Sequence, residues 1–439
     1  MTFFDTHYNK TIAVVDLDGQ SVDIHPLDQS LVDEYLGGAA LNTALLETYK
    51  DDNPIIFGTG PLTGSFAPAS CLLAATFPTP QGRISTIPLT LRTGPQLKFA
   101  GIDFLVLTNR AAQPLVLCVT EGKLTLHPAK TVEQPGLSDM LEQARRNLGP
   151  FESWIITAPA AASGTSVSIS RGGSFDKRGL AAAMAGKNLQ GIFINAHSGL
   201  PFGTRDLARS NALIADLKSG LSKRERGFAS ILAHIAPDTV RSLVAGYDSR
   251  NIACFRCPVP CMSHVTLPEA MTGAKDRAGF FLADHVGFTA LAKHAGTAAF
   301  SLMVSCSEAR VDPLAVADVL AVGGTPGQAK AYIEALSQGN EQYTAAGAND
   351  FFGPLEDRDF FGAGLPPLYV HNGESNSESL TAWKTRTARA LILGVCPILT
   401  VRFPALDRAL PSFLAAGPDH MAALDGKLTD LAEMIRGRT

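Results

Sequence analysis

Up to about Ala196 the apolar residues come in short runs separated by turn residues. Thr11–Leu17 (TIAVVDL) ends at Asp18–Gly19, a pair that folds one strand back on the next. Leu115–Val119 (LVLCV), Glu121–Gly122 and Leu124–Leu126 repeat the arrangement. Asn53–Gly58, Cys71–Phe77, Phe104–Thr108, Trp154–Ala158, Val167–Ser170 and Gly191–Asn195 are further predicted strands. Leu31–Tyr49, Leu137–Leu148 and Gly179–Lys187 carry apolar residues at helical spacing. Hairpin pairs interleaved with helices predict an α+β fold with antiparallel pairing.

Beyond Gly203 the pattern changes to helical spacing. Arg205–Ser219, Lys223–Ala236, Ala278–Gly296, Thr297–Arg310, Pro313–Ala321, Pro326–Gln338, Glu378–Gly394 and Asp419–Ile435 are predicted helices, parted by Pro, Gly and Asp. Gly339–Glu378, rich in Gly, Asn, Asp and Pro, reads as a long loop. The expected division is a sheet-rich base domain, residues 1–200, and a mainly helical region, residues 201–439, of two helical subdomains.

Composition narrows the function classes. In 439 residues, 46% are hydrophobic and 18% charged, enough for a large core without disulfide staples. Lys and Arg number 37 against 41 Asp and Glu, a net charge of −4, so no basic surface invites nucleic acid or anionic lipid. The charge-free apolar run Leu391–Val401 lies between Arg389 and Arg402. It is shorter than the ~20 residues a membrane span needs, so none is expected. The opening MTFFDTHYNK shows no signal peptide, and a reducing, cytoplasmic setting is the expectation. The seven cysteines are there read as thiols or ligands before disulfides.

Four cysteines carry the strongest chemical signal. Asn251–Met262 (NIACFRCPVPCM) spaces Cys254, Cys257 and Cys261 as C-x2-C-x3-C. A short loop of this kind turns three thiolates toward one centre, and a fourth from elsewhere completes a [4Fe–4S] cluster. Cys396, in an apolar turn after a long predicted helix, is the candidate fourth ligand. A zinc site or incidental thiols remain open, although zinc sites favour paired CxxC units or spaced histidines and only His264 is near. Cys71, Cys118 and Cys306 lie in apolar patterns and read as small buried hydrophobes.

Several motifs in order resemble the tungsten-dependent aldehyde:ferredoxin oxidoreductase family. They are Tyr35–Gly38 (YLGG), Gly60–Gly64 (GPLTG) with Ala67–Pro68, Leu97–Asp103 (LKFAGID), Ala183–Ile192 (AMAGKNLQGI), the cysteine run, Asp284–Thr289 (DHVGFT) and the late LGVC. The resemblance implies a two-sheet base carrying a tungsten or molybdenum bis-pterin, closed by helical domains that hold one [4Fe–4S] cluster. It implies oxidation of a small aldehyde to a carboxylate, with electrons leaving through the cluster to ferredoxin or another iron–sulfur carrier. Lys177, Arg178 and Gly179 match pterin-contacting positions on the base side. Asp284, Gly287, Gly394 and Val395 match them on the helical side. Glu269 and His371 fall where pocket acid/base residues are expected. A homo- or hetero-oligomer is left open.

The departures point to an alternative. Leu72 stands where the family has a pterin-binding arginine, Ile87–Arg92 (IPLTLR) lacks its paired glycine, and Leu391 replaces the acid of the last motif. Charged hydrogen bonds of this kind are worth about 1.5–3 kcal/mol each. The chain is also short for the family. The alternative is a degenerate member without the metal–pterin, serving as an electron-transfer or assembly subunit.

Overall fold

The predicted alternation builds two six-stranded mixed sheets. In the computed structural model, the described residues are all except 1–2, 80–81, 135, 159–166, 170–172, 175–178, 200–203, 220–237, 248, 261, 268–278, 283–284, 341–376, 416 and 439. Strands β1 (Thr11–Asp16), β2 (Ser21–Pro26), β3 (Ile55–Thr59), β4 (Leu73–Pro78), β5 (Ile84–Leu89) and β6 (Phe104–Thr108) form the first sheet, in the order β2-β1-β6-β3-β4-β5. Strands β7 (Leu115–Thr120), β8 (Lys123–Pro128), β9 (Ser153–Ile156), β10 (Ser168–Ile169), β11 (Gly173–Ser174) and β12 (Leu189–Ile194) form the second, in the order β11-β10-β9-β12-β7-β8. β1 and β2 make the hairpin expected at Asp18–Gly19, with Asp16 opposite Ser21. β1 pairs in parallel with β6, and β7 with β12.

The period of two along each strand sorts side chains between faces. Ala13, Val15, Leu105 and Leu107 of the first sheet share one core with Leu117, Ile155 and Ile192 of the second. Ile12, Phe104 and Val106 point the other way, under Leu41 and Leu45 of the helix Gly38–Thr48. Val116, Trp154, Ile156 and Phe193 are likewise covered by Met140 and Ala144 of the helix Leu137–Leu148. The sheets are therefore stacked face to face, each with a helix on its outer side.

The later helices divide between two cores. Phe288, Leu291, Phe300 and Ile333 belong to a separate helical core. Ala390, Ile392, Leu428 and Ala432, on the helices Ser377–Leu393 and Pro418–Arg438, join the core of the sheets instead. Among the described residues no helix is long and apolar enough to cross a membrane.

Three sequence expectations need correction. Leu31–Tyr49 is two helices, Gln29–Tyr35 and Gly38–Thr48, because Leu36 takes φ +61°, outside the helical region. Its carbonyl is held by Tyr8 Oη at 2.6 Å. β5 is not among the predicted strands, yet it forms and contains Pro88; as the last strand in the sheet order it tolerates the missing N–H. Within the region read as helical, β13 (Ser249–Ile252), β14 (Met262–Thr266) and β15 (Gly279–Leu282) form an antiparallel sheet, and the helix expected from Ala278 begins at His285. These strands are too short for periodicity to distinguish them from helix. The expected helix Lys223–Ala236, and all but the ends of the expected loop Gly339–Glu378, lie outside the described residues.

A buried ionisable group anchors the base. Lys98, in the helix Thr93–Phe99, donates to the Gly60 and Pro61 carbonyls at 2.8 and 3.3 Å and lies 4.6 Å from the centre of the Tyr8 ring. Asp103 accepts from the backbone N–H groups of Asn9 and Thr11 at 3.2 and 3.0 Å. Burial pulls Lys98 down to about 7, against the opposing pull of Asp103. An unfolded lysine titrates near 10.4, so from pH 7 to 10 the unfolded chain holds the extra proton and the fold gains stability as pH rises. Lys98→Met is expected to cost about 2 kcal/mol by urea unfolding, since the Pro61 carbonyl loses its Lys98 donor and Gly60 O keeps only the Thr63 N–H. The gap between parent and variant should widen from pH 7 to 10; a flat difference would contradict this role.

Candidate metal centre

Three chain segments meet at the edge of the sheet core. One is the loop Gly60–Leu72 between β3 and β4. Another is the loop Ala253–Cys257 that follows β13. The third is the turn Gly394–Cys396 between the helices Ser377–Leu393 and Pro397–Arg402. Ala69 ties them together. Its carbonyl accepts the N–H of Cys71 at 2.8 Å and of Cys396 at 2.9 Å, while its own N–H donates to the Arg256 carbonyl at 3.0 Å. It does so at φ +56°, an uncommon conformation for a residue with a Cβ. Phe255 N–H donates to Leu91 O at 2.9 Å, fixing the cysteine loop against the end of β5.

This stitching places thiols together. Cys71, Cys254 and Cys396 are buried in one core. The Cys71 thiol pulls the Cys254 thiol below its ordinary range and is itself pushed up. Cys257 follows in a turn closed by its N–H to Cys254 O at 3.0 Å; its half-buried thiol donates to Val259 O at 3.2 Å. None of the described cysteines is in a disulfide. Among the described residues, no three His, Cys, Asp or Glu side chains are arranged to hold one metal ion. The thiolates of a cubane bind different irons and stand further apart than ligands of a single ion, so a thiol-lined, amide-donating interior suits a cluster in its chemistry.

The structure thus brings Cys254 and Cys396 together across the chain, with Cys257 one turn on, whereas Cys261 lies outside the described residues. Cys118 and Cys306 pack in the outer and helical cores, as their apolar settings suggested. Cys71 is also buried, but in the same core as Cys254 and Cys396, which sequence reasoning missed. β4 begins at Leu73, so Cys71 stands in the preceding loop, and only the tertiary fold brings it to the other thiols.

Backbone meets backbone beside these thiols. A Cβ on Gly60 would lie 2.2 Å from the carbonyl carbon of Leu393 and 2.3 Å from Gly394 N. One on Gly394, at φ +83°, would lie 2.0 Å from Thr63 Oγ1. Leu62 N–H donates to Leu393 O at 2.9 Å, and Leu72 N–H to Gly394 O at 3.2 Å. Gly394 and Val395 N–H both turn back to Ala390 O, at 2.9 and 3.1 Å.

Residues 12–196 match the model of the aldehyde ferredoxin oxidoreductase N-terminal domain. The sheet-rich base is thus similar to that family's N-terminal domain. It is 22% identical over 285 residues to the tungsten-containing aldehyde ferredoxin oxidoreductase of Pyrococcus furiosus, covering 56% of this chain and 47% of that protein. It is 24% identical over 133 residues to an aliphatic sulfonate oxidoreductase, WOR-like subunit, of the same organism, covering 28% and 21%. The match spans about half the length of these enzymes or less. Among solved structures, the active-site complex BamBC of benzoyl coenzyme A reductase with 1,5-dienoyl-CoA superposes with a TM-score of 0.72 at 15% identity. That match covers 98% of this chain and 88% of the other, and it establishes the fold.

The family's pterin-facing positions are occupied differently here. Leu72 and Leu391 are buried in the core, and Ile87 and Pro88 are buried in β5. The amides of the GPLTG loop and the LGVC turn are bonded within the protein, Gly60 N–H to Thr63 Oγ1 and the Leu62, Thr63, Gly64, Gly394, Val395 and Cys396 N–H groups to backbone carbonyls. Gly179 caps the helix Leu180–Gly186 at φ +91°. Gly287 is buried beside Phe288 of the separate helical core, whereas Gly394 and Val395 border the sheet core. Lys177, Arg178, Glu269, Asp284 and His371 lie outside the described residues. The described thiols are donors of the kind a thiolate cluster takes.

Gly60→Ala is expected to cost about 3 kcal/mol or more in urea unfolding, because its Cβ meets rigid backbone. Gly186→Ala, with nothing within 4 Å, should be neutral or slightly stabilising. Equal stability of the two variants would contradict the close approach.

Proposed function

We propose that the chain is an iron–sulfur electron carrier of the aldehyde ferredoxin oxidoreductase family that has lost the metal–pterin. One observation carries this reading. The cysteine-bearing segments converge as buried thiols, while the segments that would face a pterin are closed on each other by backbone hydrogen bonds. Cys254, Cys257, Cys261 and Cys396 would hold a [4Fe–4S] cluster, which supplies one-electron exchange when bound. Buried Leu72 and Val395 make the surroundings of Cys254 and Cys396 apolar.

The partner in this reading is ferredoxin or a catalytic subunit of a larger complex. The relative named as a WOR-like subunit supports a subunit role. Residues 1–200 serve as the base and residues 201–439 bring the ligands, three on the cysteine loop and Cys396 on the C-terminal turn. Thiolate ligands suit a reducing, cytoplasmic compartment. A second reading, oxidation of an aldehyde to a carboxylate, draws on the relatives' names and on Lys177, Arg178, Gly179 and Asp284 retained in family order. It requires a tungsten or molybdenum bis-pterin, with Glu269 and His371 as proton-transfer groups.

Anaerobically purified protein is expected to carry about four irons per chain and a visible absorbance bleached by dithionite. Cys396→Ala should lose both, while Cys118→Ala keeps them. Added aldehydes should leave the oxidised spectrum unchanged. Full iron in Cys396→Ala would overturn the ligand assignment, and bleaching by an aldehyde would establish the second reading.

A further inference from the structure

We propose that β2 is a self-pairing edge, to which a second copy of this chain adds its own β2 in antiparallel register, joining two first sheets into one. The pairing goes beyond the electron-carrier reading and asks nothing of the cluster.

β2 stands at one end of the order β2-β1-β6-β3-β4-β5, so among the described strands it has a neighbour on one side only. All its residues are exposed except Val22, which is half-buried. The other sheet ends differ. β5 is buried over nearly all its length, β8 is exposed only at its two ends, and β11 is two residues long. Ile24 is 45% exposed, one of two exposed large apolar side chains among the described residues. An exposed edge strand carrying an apolar residue is a template for another strand.

The register follows from the hydrogen bonds that β2 makes to β1. Leu27 N–H donates to Lys10 O at 2.8 Å, and the pairing continues with Pro26 opposite Thr11, His25 opposite Ile12 and Ile24 opposite Ala13. Bonded and non-bonded pairs alternate along an antiparallel ladder. His25, Asp23 and Ser21 therefore bond to β1, while Val22, Ile24 and Pro26 turn their backbone groups out of the sheet edge. Pro26 has no N–H to lose on the β1 side and still offers its carbonyl outward. A two-fold axis at Ile24 then satisfies every outward donor. The Ile24 residues of the two copies exchange both of their bonds, and each Val22 N–H donates to Pro26 O of the other copy.

The side chains agree with this register. It sets Asp23 opposite His25 of the second copy, twice. Within one strand these two already pair, His25 Nε2 to Asp23 Oδ2 at 3.4 Å, so they share a face. Unlike groups directly opposite stabilise a strand pair and like charges oppose it. Sliding by two residues either way would set Asp23 against Asp23 or His25 against His25. Ile24 lies on the other face, beside Ala13 of the core between the sheets, and there the two Ile24 side chains cover each other. A six-residue edge falls short of the ~1,000 Å² of a standing interface, so the association is weak and depends on concentration.

The test is sedimentation equilibrium of the full chain at rising concentration, with amide hydrogen exchange across Ser21–Pro26. It uses the parent, Ile24→Lys, Asp23→Lys and the double variant Asp23→Lys with His25→Glu, each checked for folding by circular dichroism. The parent is expected to dimerise reversibly, with the Val22 and Ile24 amides exchanging more slowly as concentration rises. Ile24→Lys and Asp23→Lys should each weaken association about tenfold, and the double variant should recover most of the loss, since a lysine then faces a glutamate. A parent that stays monomeric, with exchange independent of concentration, would overturn the proposal. A dimer that Ile24→Lys leaves untouched would place the interface elsewhere and overturn it too. A folded double variant as weak as Asp23→Lys would overturn the register.

Discussion

Much of this structure depends on one contact without side chains, the approach of Gly394 to Gly60. Any Cβ on either residue would strike backbone or the Thr63 hydroxyl. Because both lack one, the turn after the helix Ser377–Leu393 can lie on the loop after β3 and exchange hydrogen bonds with it. That seating delivers Cys396 to the interior, brings the C-terminal helices into the core of the sheets, and leaves Ala69 to clamp the cysteine loop through Arg256. The fold and the thiol centre therefore rest on the same few hydrogen bonds.

The closure also bears on chemistry. Buried amides satisfied by protein carbonyls have little left to offer a polar cofactor. Leu72 and Leu391 make this surface apolar, and both lie in the core. Thiols respond differently to such surroundings. Burial with directed donors is the setting in which sulfur can carry charge away from water.

Where local pattern decides structure, the sequence was informative. The apolar runs Thr11–Leu17 and Leu115–Val119 marked strands, and Asp18–Gly19 marked the hairpin. The pairing of the cysteine run with Cys396 was anticipated from ligand number, and the fold brings Cys254 and Cys396 into one core. The failures have tertiary causes. Leu36 breaks a continuous helical pattern by adopting φ +61°, with its carbonyl taken by Tyr8, a residue distant in sequence. Strands β13–β15 are short and partly polar, and they are recognisable only once paired with each other. Cys71 reads as one more apolar position because the thiols that share its core come from two remote segments. No local spacing announces that meeting.

The most direct test of the account is the metal and pterin content of protein produced in a host supplied with iron, tungstate and molybdate, purified without oxygen and extracted under oxidising, denaturing conditions. The account predicts iron with neither tungsten nor molybdenum, and no fluorescent pterin product. Stoichiometric tungsten or molybdenum together with extractable pterin would contradict it.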